Sequence, residues 1–468
     1  MYVCLINPPT VEIYGKYKAA AKVGAEIWAP LGLCYIAATL EKAGHKVRLI
    51  DADPEGLSHA GIMHELETMP VDVVGVTAAT PVYSNAKKIM ESVKEHDKGI
   101  LTVIGGPHVT ILPTFVMQDC SVDVGVIREG EETVVELLDA VEKGLSLKDV
   151  KGIAYREGEE IKITEPRPLI EDLDSLPYPA RHLLNGKYIW SVPGKGLVPA
   201  TPILTQRGCP FKCIFCCAQA MAGAKTRYRT AGNIVDEIEY LISGGGVKHL
   251  FFADDTLTLN KRKVSNMCDE IERRGLKFTW EGYTRADVIS KELLAKMQSA
   301  GLVRLSFGVE SGNQDILNFI NKGITLEQLR QAYDWCYELG LETRGSVMIG
   351  HPFETKKTIK QTSNFMRSLN CFQSYINIVM PYPGSKLYEM ANNGEGGLRL
   401  LTNDWREYRR YGNAVMEMND LSAKDLIQAQ RKMYRQFYLR PRIIVYNLRR
   451  AGLKAATINV YAFIKSIL

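Results

Sequence analysis

Three closely spaced cysteines give this 468-residue chain its strongest chemical signal. Cys209, Cys213 and Cys216 have a C-x₃-C-x₂-C spacing, and thiolates at such spacing can bind an iron–sulfur cluster. Three thiolates leave one iron of a four-iron cluster without a protein ligand, so a substrate could bind there. A structural zinc site would need four ligands, and no Cys/His pair follows nearby except the adjacent Cys217. The spacing therefore favours a catalytic cluster with these three cysteines as its metal ligands.

The cysteines directly follow a predicted strand at Pro202–Gln206, the first of six strand–helix units. The other strands are predicted at His249–Ala253, Phe278–Glu281, Val303–Gly308, Arg344–Ile349 and Ser374–Met380. The helices are predicted at Ile234–Ser243, Lys263–Arg274, Lys291–Ser299, Leu326–Leu339 and Thr358–Ser368. This alternation predicts an incomplete parallel (β/α)6 barrel. The cysteines would then lie at the carboxyl ends of its strands, where barrel active sites are built.

The first 145 residues show a separate alternation of strands and helices. Strands are predicted at Val3–Ile6, Lys46–Asp51, Val71–Thr77, Leu101–Gly105 and Val122–Ile127. Helices are predicted at Leu31–Ala43, His59–Thr68, Asn85–His96 and Glu131–Lys143. The pattern predicts an α/β domain with a doubly wound parallel sheet, whose ligand lies at the carboxyl ends of the strands. A nicotinamide cofactor is excluded because no G-x-G-x-x-G follows the first strand.

Composition and charge define the rest of the organisation. Residues 146–198 are expected to be a linker with a hairpin, residues 199–390 the barrel and residues 391–468 a basic helical region. The segment Lys424–Leu468 has a formal charge of +9, which leaves −4 for the rest of the chain. Nucleic-acid binding by the whole surface is therefore not expected. The basic segment either packs on the barrel, which we favour, or makes peripheral contact with an anionic membrane.

Through its cysteine motif, the chain resembles the radical S-adenosylmethionine superfamily. The family signature CxxxCxxC, with an aromatic residue before the third cysteine, is matched with Phe215 in that place. The resemblance extends to polar residues at the ends of the predicted barrel strands. For these it implies contacts to S-adenosylmethionine by Asp254, Asp255, Arg285, Glu310 and Ser311. The segment Met348–Pro352 resembles the one that flanks adenine.

The first 145 residues resemble the cobalamin-binding domain that is joined to one branch of this superfamily. The resemblance implies that cobalamin is bound by Thr77, Ala78, Thr80, Gly105, Gly106, His108, Glu129 and Gly130. The Asp-x-His-x-x-Gly motif of other cobalamin proteins is absent, so no histidine ligand to cobalt is expected. His108 would contact the nucleotide tail of cobalamin; the alternative is that it is a local turn residue.

Together the two resemblances imply a cobalamin-dependent radical enzyme with a [4Fe–4S] cluster, S-adenosylmethionine and cobalamin as cofactors. Methylation of an unactivated carbon, through a 5′-deoxyadenosyl radical and methylcobalamin, is the expected reaction. The alternatives are oxidation, cyclisation or coupling without methylation, and a non-catalytic electron carrier or cobalamin sensor. A small-molecule or lipid-like substrate is expected, with a flavodoxin or ferredoxin as reductant. The absence of a signal peptide and of an apolar run of 18 residues favours the cytoplasm.

Overall fold

The computed structural model describes residues 1–10, 13, 28–409 and 411–448 of the chain. The described residues form two compact units. The first unit contains residues 1–10, 13, 28–188 and 217–227. The second contains residues 189–216, 228–409 and 411–448. The domain boundaries expected from the sequence stay a prediction.

The first unit is built on a seven-stranded sheet with the strand order β2-β1-β3-β4-β5-β6-β7. Its strands are β1 Tyr2–Asn7, β2 Lys46–Asp51, β3 Val73–Thr77, β4 Leu101–Gly105, β5 Val124–Val126, β6 Ile153–Glu157 and β7 Glu160–Ile163. Strands β1 to β5 are parallel, and this confirms the predicted doubly wound sheet. The hairpin β6–β7, expected in the linker, pairs antiparallel with β5 and extends the sheet.

Helices cover this sheet, so its central strands are buried, as is usual for parallel sheets. The helices are α1 Leu31–Lys42, α2 Ala52–Glu55, α3 His59–Glu67, α4 Tyr83–His96, α5 Pro107–Ile111, α6 Pro113–Asp119, α7 Glu131–Glu142 and α8 Ala218–Ala222. Helix α3 begins where the Ser58 hydroxyl accepts a hydrogen bond from the Gly61 N–H, a cap that replaces a missing intrahelical partner. It buries Ile62 and Leu66, one turn apart, against the unit.

The second unit contains a curled half-barrel sheet in which six strands are parallel. Its strands are β8 Ile189–Val192, β9 Gly196–Ile203, β12 His249–Phe252, β13 Thr279–Thr284, β14 Leu302–Glu310, β15 Glu342–Ile349 and β16 Gln373–Ile378. Two short strands, β10 Gln206–Arg207 and β11 Arg227–Tyr228, form a separate pair, and the boundary between the units falls within β11. The order is β16-β15-β14-β13-β12-β9-β8, with only the edge strand β8 antiparallel. The half-barrel predicted from the sequence is confirmed. Strand β8 lies in the part of the chain that was expected to be linker.

Helices accompany the strands of the half-barrel. They are α9 Ala231–Ser243, α10 Lys261–Arg273, α11 Lys291–Ser299, α12 Gln314–Phe319, α13 Leu326–Glu338, α14 Lys356–Ser368, α15 Lys386–Asn393 and α16 Ala423–Tyr438. A further two-stranded sheet pairs β17 Leu398–Leu400 with β18 Met416–Met418. Helices α13 and α14 begin at Thr325 and Thr355, where capping boxes satisfy N–H groups that have no intrahelical partner.

A buried layer of charges fills the amino-terminal half of these barrel strands. The Arg304 guanidinium donates to Glu281 at 2.5 Å and to Glu342 at 3.1 Å. These three residues are partners in register on β13, β14 and β15. Arg344 and His249 also lie against Glu281, at 3.5 and 3.4 Å. All five side chains are buried, so each charge in the layer depends on an oppositely charged neighbour.

Helix α16 covers the outer edge of strand β16. The Tyr434 hydroxyl accepts from the Ile376 N–H, and Gln430 donates to the Ile376 carbonyl. The Tyr438 hydroxyl likewise accepts from the Ser374 N–H and donates to its carbonyl. The predicted packing of the basic segment on the barrel is thus confirmed for residues up to 438.

Residues 449–468, the last part of that basic segment, lie outside the described residues. In the described part of the chain, no helix is both long enough and apolar enough to cross a membrane.

Candidate functional site

The cysteine loop follows β9 and β10 in the second unit, at the carboxyl end of the first barrel strand. Cys209 is buried, Cys213 is half-buried and Cys216 is exposed. The Ile214 N–H donates to the Ile320 carbonyl at 3.1 Å, which ties the loop to the end of α12. Across residues 1–10, 13, 28–409 and 411–448, no three His, Cys, Asp or Glu side chains are grouped as a metal site. Ligation by the three cysteines therefore stays a prediction.

Cys213 lies among charged side chains from two other barrel strands and from Lys322. Burial raises the pKa of its thiol, while the positive charges of Lys322 and Arg285 lower it and Glu310 raises it. Cys217 belongs to the first unit, and burial alone raises the pKa of its thiol to about 11. A thiolate is the form that binds metal, and the two cations oppose the burial-induced rise in pKa at Cys213, whereas no cation opposes it at Cys217.

Glu310, at the end of β14, forms a nearly buried ion pair with Lys322, at 2.7 Å. The Glu310 backbone has a φ of +62°, a left-handed conformation that is uncommon outside glycine. Gly308 leaves room for this pair, since a Cβ there would displace the Glu310 carboxylate and lie 2.7 Å from the Lys322 ammonium. The segment that ends β14 predicts Glu310 as a site residue, whereas the spacing of Lys322 gives no signal in the sequence.

Arg285 follows β13 and is buried, and one of its guanidinium nitrogens makes no hydrogen bond to the described residues. Its guanidinium donates to both Asp287 carboxylate oxygens, at 3.0 and 2.9 Å, and lies over the Phe211 ring at 3.5 Å. The Nη1 atom is buried and has no hydrogen-bond partner among the described residues. A buried donor without a partner is costly, so this atom is suited to an acceptor on a ligand.

Three other predicted residues are differently placed. Asp254 is fully buried, and its carboxylate accepts three hydrogen bonds from Thr205 and Gln206. Burial raises its pKa to about 7. Asp254 therefore holds the segment that leads to the cysteines. Asp255 is exposed. Ser311 is buried, and its hydroxyl lies 3.2 Å from the Thr362 hydroxyl of α14.

The turn after β15 contains two buried polar side chains, His351 and Glu354, to which the sequence motif assigned no individual role. His351 is completely buried, and its ring centroid lies 5.8 Å from that of Phe215 in the cysteine loop. The Glu354 carboxylate accepts from the N–H groups of Gly350 and His351, at 2.6 and 3.1 Å. Burial raises the pKa of Glu354 to about 7. The sequence motif marked this turn, but burial of its side chains cannot be read from a motif.

In the first unit, the ends of β3 and β4 form a rim of small residues. The Ala78 N–H donates to the Gly105 carbonyl, and the His108 N–H donates to the Ala78 carbonyl. Gly106 has a φ of +96°, and a Cβ there would lie 2.8 Å from the Thr77 hydroxyl. The loops are thus joined through backbone atoms, and only glycine fits at Gly106.

His108 lies inside this rim. Its Nδ1 is 3.2 Å from the Thr80 hydroxyl, and its ring packs 4.4 Å from that of Tyr83. Burial lowers the pKa of His108 to about 4, so the ring is neutral at physiological pH. The structure therefore brings together Thr77, Ala78, Thr80, Gly106 and His108.

Glu129 is committed to an ion pair within the unit. Both carboxylate oxygens accept from the Arg227 guanidinium at 2.8 Å, and one also accepts from the Ile170 N–H. The neighbouring Gly130 allows close approach of helix α1, since a Cβ would lie 2.9 Å from Ile36. Glu129 thus fixes the loop around it. Its distant partner Arg227 could not be inferred from sequence spacing.

Two family models match the chain. The radical SAM superfamily model matches residues 203–366, and the B12 binding domain model matches residues 17–138. An uncharacterized methyltransferase of Pyrococcus horikoshii is 34% identical over 452 residues, 96% of this chain and 95% of that protein. The anaerobic magnesium-protoporphyrin IX monomethyl ester cyclase of Rubrivivax gelatinosus is 31% identical over 434 residues, 90% of this chain and 76% of the cyclase.

A solved structure shares the fold. It is the radical S-adenosylmethionine methyltransferase TsrM from Kitasatospora setae, with cobalamin and a [4Fe–4S] cluster bound. The TM-score is 0.74, and the match covers 100% of both chains at 17% identity. At this identity the likeness concerns the fold alone.

Proposed function

Because this chain belongs to the radical S-adenosylmethionine superfamily and contains a B12-binding domain, we propose that it methylates an unactivated carbon of a small-molecule substrate. It is a cobalamin-dependent radical S-adenosylmethionine enzyme, with a [4Fe–4S] cluster, S-adenosylmethionine and cobalamin as cofactors. The observation that carries the proposal is the placement of Cys213 beside Arg285, Glu310 and Lys322 at one end of the half-barrel.

The residues present fit these cofactors. Cys209, Cys213 and Cys216 would hold three irons; burial raises the pKa of the Cys213 thiol, and the positive charges of Lys322 and Arg285 oppose that rise. The unpartnered Nη1 of Arg285 suits a carboxylate, and Glu310 suits an ammonium group. In the first unit, the small residues of the rim leave backbone atoms for cobalamin to approach.

When bound, the cluster and S-adenosylmethionine supply a carbon radical, and cobalamin supplies a methyl group. The chain itself positions these groups. Arg285 is fixed by Asp287 and Phe211, so its remaining donor points in one direction. Lys322 fixes Glu310, and Asp254 fixes the backbone of Thr205 and Gln206. Side chains held in this way bind a ligand with little loss of conformational entropy.

A cyclisation without methylation is the second candidate. The similarity to the Rubrivivax gelatinosus cyclase, at 31% identity over 90% of this chain, favours it. The two candidates require the same cluster and the same contacts to S-adenosylmethionine. They differ only in the product formed from the substrate.

The first experiment tests the cluster. Anaerobically reconstituted protein is expected to bind about four irons per chain and to form 5′-deoxyadenosine when reduced. The Cys213→Ala variant should lose the cluster and all 5′-deoxyadenosine, because one of three ligands is removed. Iron analysis, absorbance and chromatography of the nucleoside measure this.

Cys217→Ala is the matched control, since this cysteine is one position beyond the motif. It should retain most of the cluster and most of the 5′-deoxyadenosine. A chain that needs Cys217 and tolerates loss of Cys216 would show that the ligand assignment is wrong.

The second experiment separates methylation from cyclisation. The reduced enzyme is incubated with deuterated-methyl S-adenosylmethionine and an extract of small molecules from its host. Methylation predicts a product that carries the deuterated methyl group, whereas cyclisation predicts a product without it. Formation of 5′-deoxyadenosine with no labelled product at all would contradict the methyltransferase proposal.

A further inference from the structure

The chain passes from the second unit to the first directly after the last cysteine of the motif. Cys216 belongs to the second unit, residues 217–227 belong to the first, and Tyr228 belongs to the second again. We call residues 217–227 the post-cysteine segment. The short strands β10 and β11, which flank the cysteines and this segment, form a pair. The cysteines and the post-cysteine segment are thus parts of one loop whose two ends are held together.

The buried side chain of Arg227 fastens the post-cysteine segment within the first unit. Its guanidinium donates to both carboxylate oxygens of Glu129 at 2.8 Å, and to the carbonyls of Ile170 and Ala222 at 2.6 and 3.0 Å. The side chains of Arg227 and Glu129 are only 2% and 10% exposed. A guanidinium that pairs with a carboxylate through two hydrogen bonds is fixed in both position and orientation. The end of the post-cysteine segment is therefore fixed.

The turn that carries Glu129 is fixed as well. Arg128 has a φ of +67°, a left-handed conformation that is uncommon outside glycine, and its N–H donates to the Thr110 hydroxyl at 2.9 Å. Such strain persists only where the surrounding structure imposes it. The Glu129 carboxylate also accepts from the Ile170 N–H at 2.8 Å. Both partners of the buried pair are thus held before any cofactor binds.

A second ion pair of the post-cysteine segment provides a contrast. The Lys225 ammonium lies 2.6 Å from the Glu171 carboxylate, but both side chains are exposed. Exposed ion pairs contribute little to stability, whereas loss of one partner of a buried pair leaves an uncompensated charge. We therefore expect the pair with Glu129, and not the pair with Glu171, to determine how firmly the segment is held.

We propose that Glu129 is a positioning residue for the iron–sulfur cluster: through Arg227 it fixes the post-cysteine segment and thereby restricts movement of Cys216. This inference rests on the proposed function, because it assumes that the three cysteines bind the cluster. Cys216 is exposed, whereas Cys209 is buried, so the position of Cys216 depends more on the chain that follows it. A thiolate held near the iron rebinds before a competitor can remove the metal, because its effective concentration there is high.

The test measures how fast a ferrous-iron chelator removes iron from reduced, anaerobically reconstituted protein. In Glu129→Gln, iron should be lost about tenfold faster or more, because the buried Arg227 guanidinium loses its carboxylate and the segment becomes mobile. The electron paramagnetic resonance spectrum of the reduced cluster should also change, because ligation by Cys216 becomes heterogeneous. A purely structural role of Glu129 would lower the melting temperature of the cluster-free protein without changing this spectrum.

Two further variants complete the comparison. Glu171→Gln is the matched control, since it removes the exposed ion pair of the same segment and should release iron at the wild-type rate. Arg227→Lys keeps the charge beside Glu129 but loses the forked geometry, so its rate should lie between those of wild type and Glu129→Gln. Because this variant leaves no buried charge unpaired, it also tests the inference if Glu129→Gln does not fold.

Titration with hydroxocobalamin, followed by absorbance, tests the other role that the resemblance implies for Glu129. Weaker binding of hydroxocobalamin by Glu129→Gln, with iron release unchanged, would identify Glu129 as a cobalamin contact and overturn the inference. Equal rates and equal spectra for wild type, Glu129→Gln and Arg227→Lys would overturn it as well. If the wild-type protein assembled no cluster, the proposed function itself would fail, so the two failures are distinguishable.

Discussion

The two ends of the half-barrel treat buried polar groups in opposite ways. At the amino-terminal half of the strands, Arg304 donates to Glu281 and to Glu342, so these charges compensate one another. At the carboxyl end, buried atoms of Arg285 and His351 have no hydrogen-bond partner in the part of the chain that the structure describes. The first end is stabilised by pairs of opposite charge within the protein. The second has a buried guanidinium nitrogen, Nη1 of Arg285, that is available to a ligand.

This difference indicates which charges serve the fold and which serve binding. Burial alone does not separate them, since Arg304 and Arg285 are both buried arginines. What separates these two arginines is whether each guanidinium nitrogen has a hydrogen-bond partner among the described residues: all three nitrogens of Arg304 do, and Nη1 of Arg285 does not. We therefore expect substitution of Arg304 to reduce stability more than ligand binding, and substitution of Arg285 to reduce ligand binding more than stability.

The largest effect on stability is expected from Arg304→Met. This substitution leaves the buried carboxylates of Glu281 and Glu342 without their common partner, and breaking such a network costs about 3–5 kcal/mol. Urea denaturation of the cofactor-free protein measures the loss. A loss of unfolding free energy below about 1 kcal/mol would show that the buried layer of charges does not stabilise the fold.

The second prediction compares two buried glutamates across pH. Burial raises the pKa of Glu354 from 4.5 to about 7, so its ionisation destabilises the fold as pH rises through this range. Relative to wild type, Glu354→Gln should therefore gain stability between pH 4.5 and 7, by up to about 3 kcal/mol. Denaturation curves at several pH values measure the gain.

Glu281 provides the control with the opposite sign. Burial alone would raise its pKa, but Arg304 and His249 hold it at about 2. Its contribution to stability is present above its usual pKa of 4.5 and is lost as pH falls toward 2. Glu281→Gln should show no relative gain between pH 4.5 and 7. A gain equal to that of Glu354→Gln would contradict the comparison.

The smallest effect on stability is expected from Arg285→Met, the counterpart of Arg304→Met at the other end. The ion pair with Asp287 is formed between residues two apart, and its loss should cost about 1 kcal/mol or less. Binding of S-adenosylmethionine should nevertheless weaken about tenfold or more. Paired melting and titration experiments check both values. A large loss of stability with unchanged binding would reverse the assignment.

The parts of the fold that depend on local pattern were predictable. The bounds of Lys46–Asp51, Leu101–Gly105 and Lys291–Ser299 agree with the sequence predictions. Apolar alternation and turn residues are sufficient for such elements, because neighbours in sequence determine them. Strand β8, Ile189–Val192, was missed because its proline- and glycine-containing surroundings resemble a linker and its pairing with β9 is tertiary.

The site was predictable only where a motif places a residue. Cys213, Arg285 and Glu310 were identified in this way, and the structure brings their side chains together. Lys322 was not identified, since it lies 12 positions after its partner Glu310 and comes close to it only because the chain folds back through α12. Glu129 was assigned to cobalamin, yet its carboxylate is used by Arg227, 98 positions away. Pairing over such distances depends on folding and has no sequence signature.

The helix over β16 also has a consequence for synthesis of the protein. Tyr434, Tyr438 and Gln430 supply the hydrogen bonds for the outer edge of this strand, and they follow it by about 60 residues. At about 5–20 residues per second, a ribosome needs about 3–12 s to add them. During that interval the nascent chain has an open strand edge that can pair with another chain. Premature release before residue 430 should therefore give an aggregation-prone product.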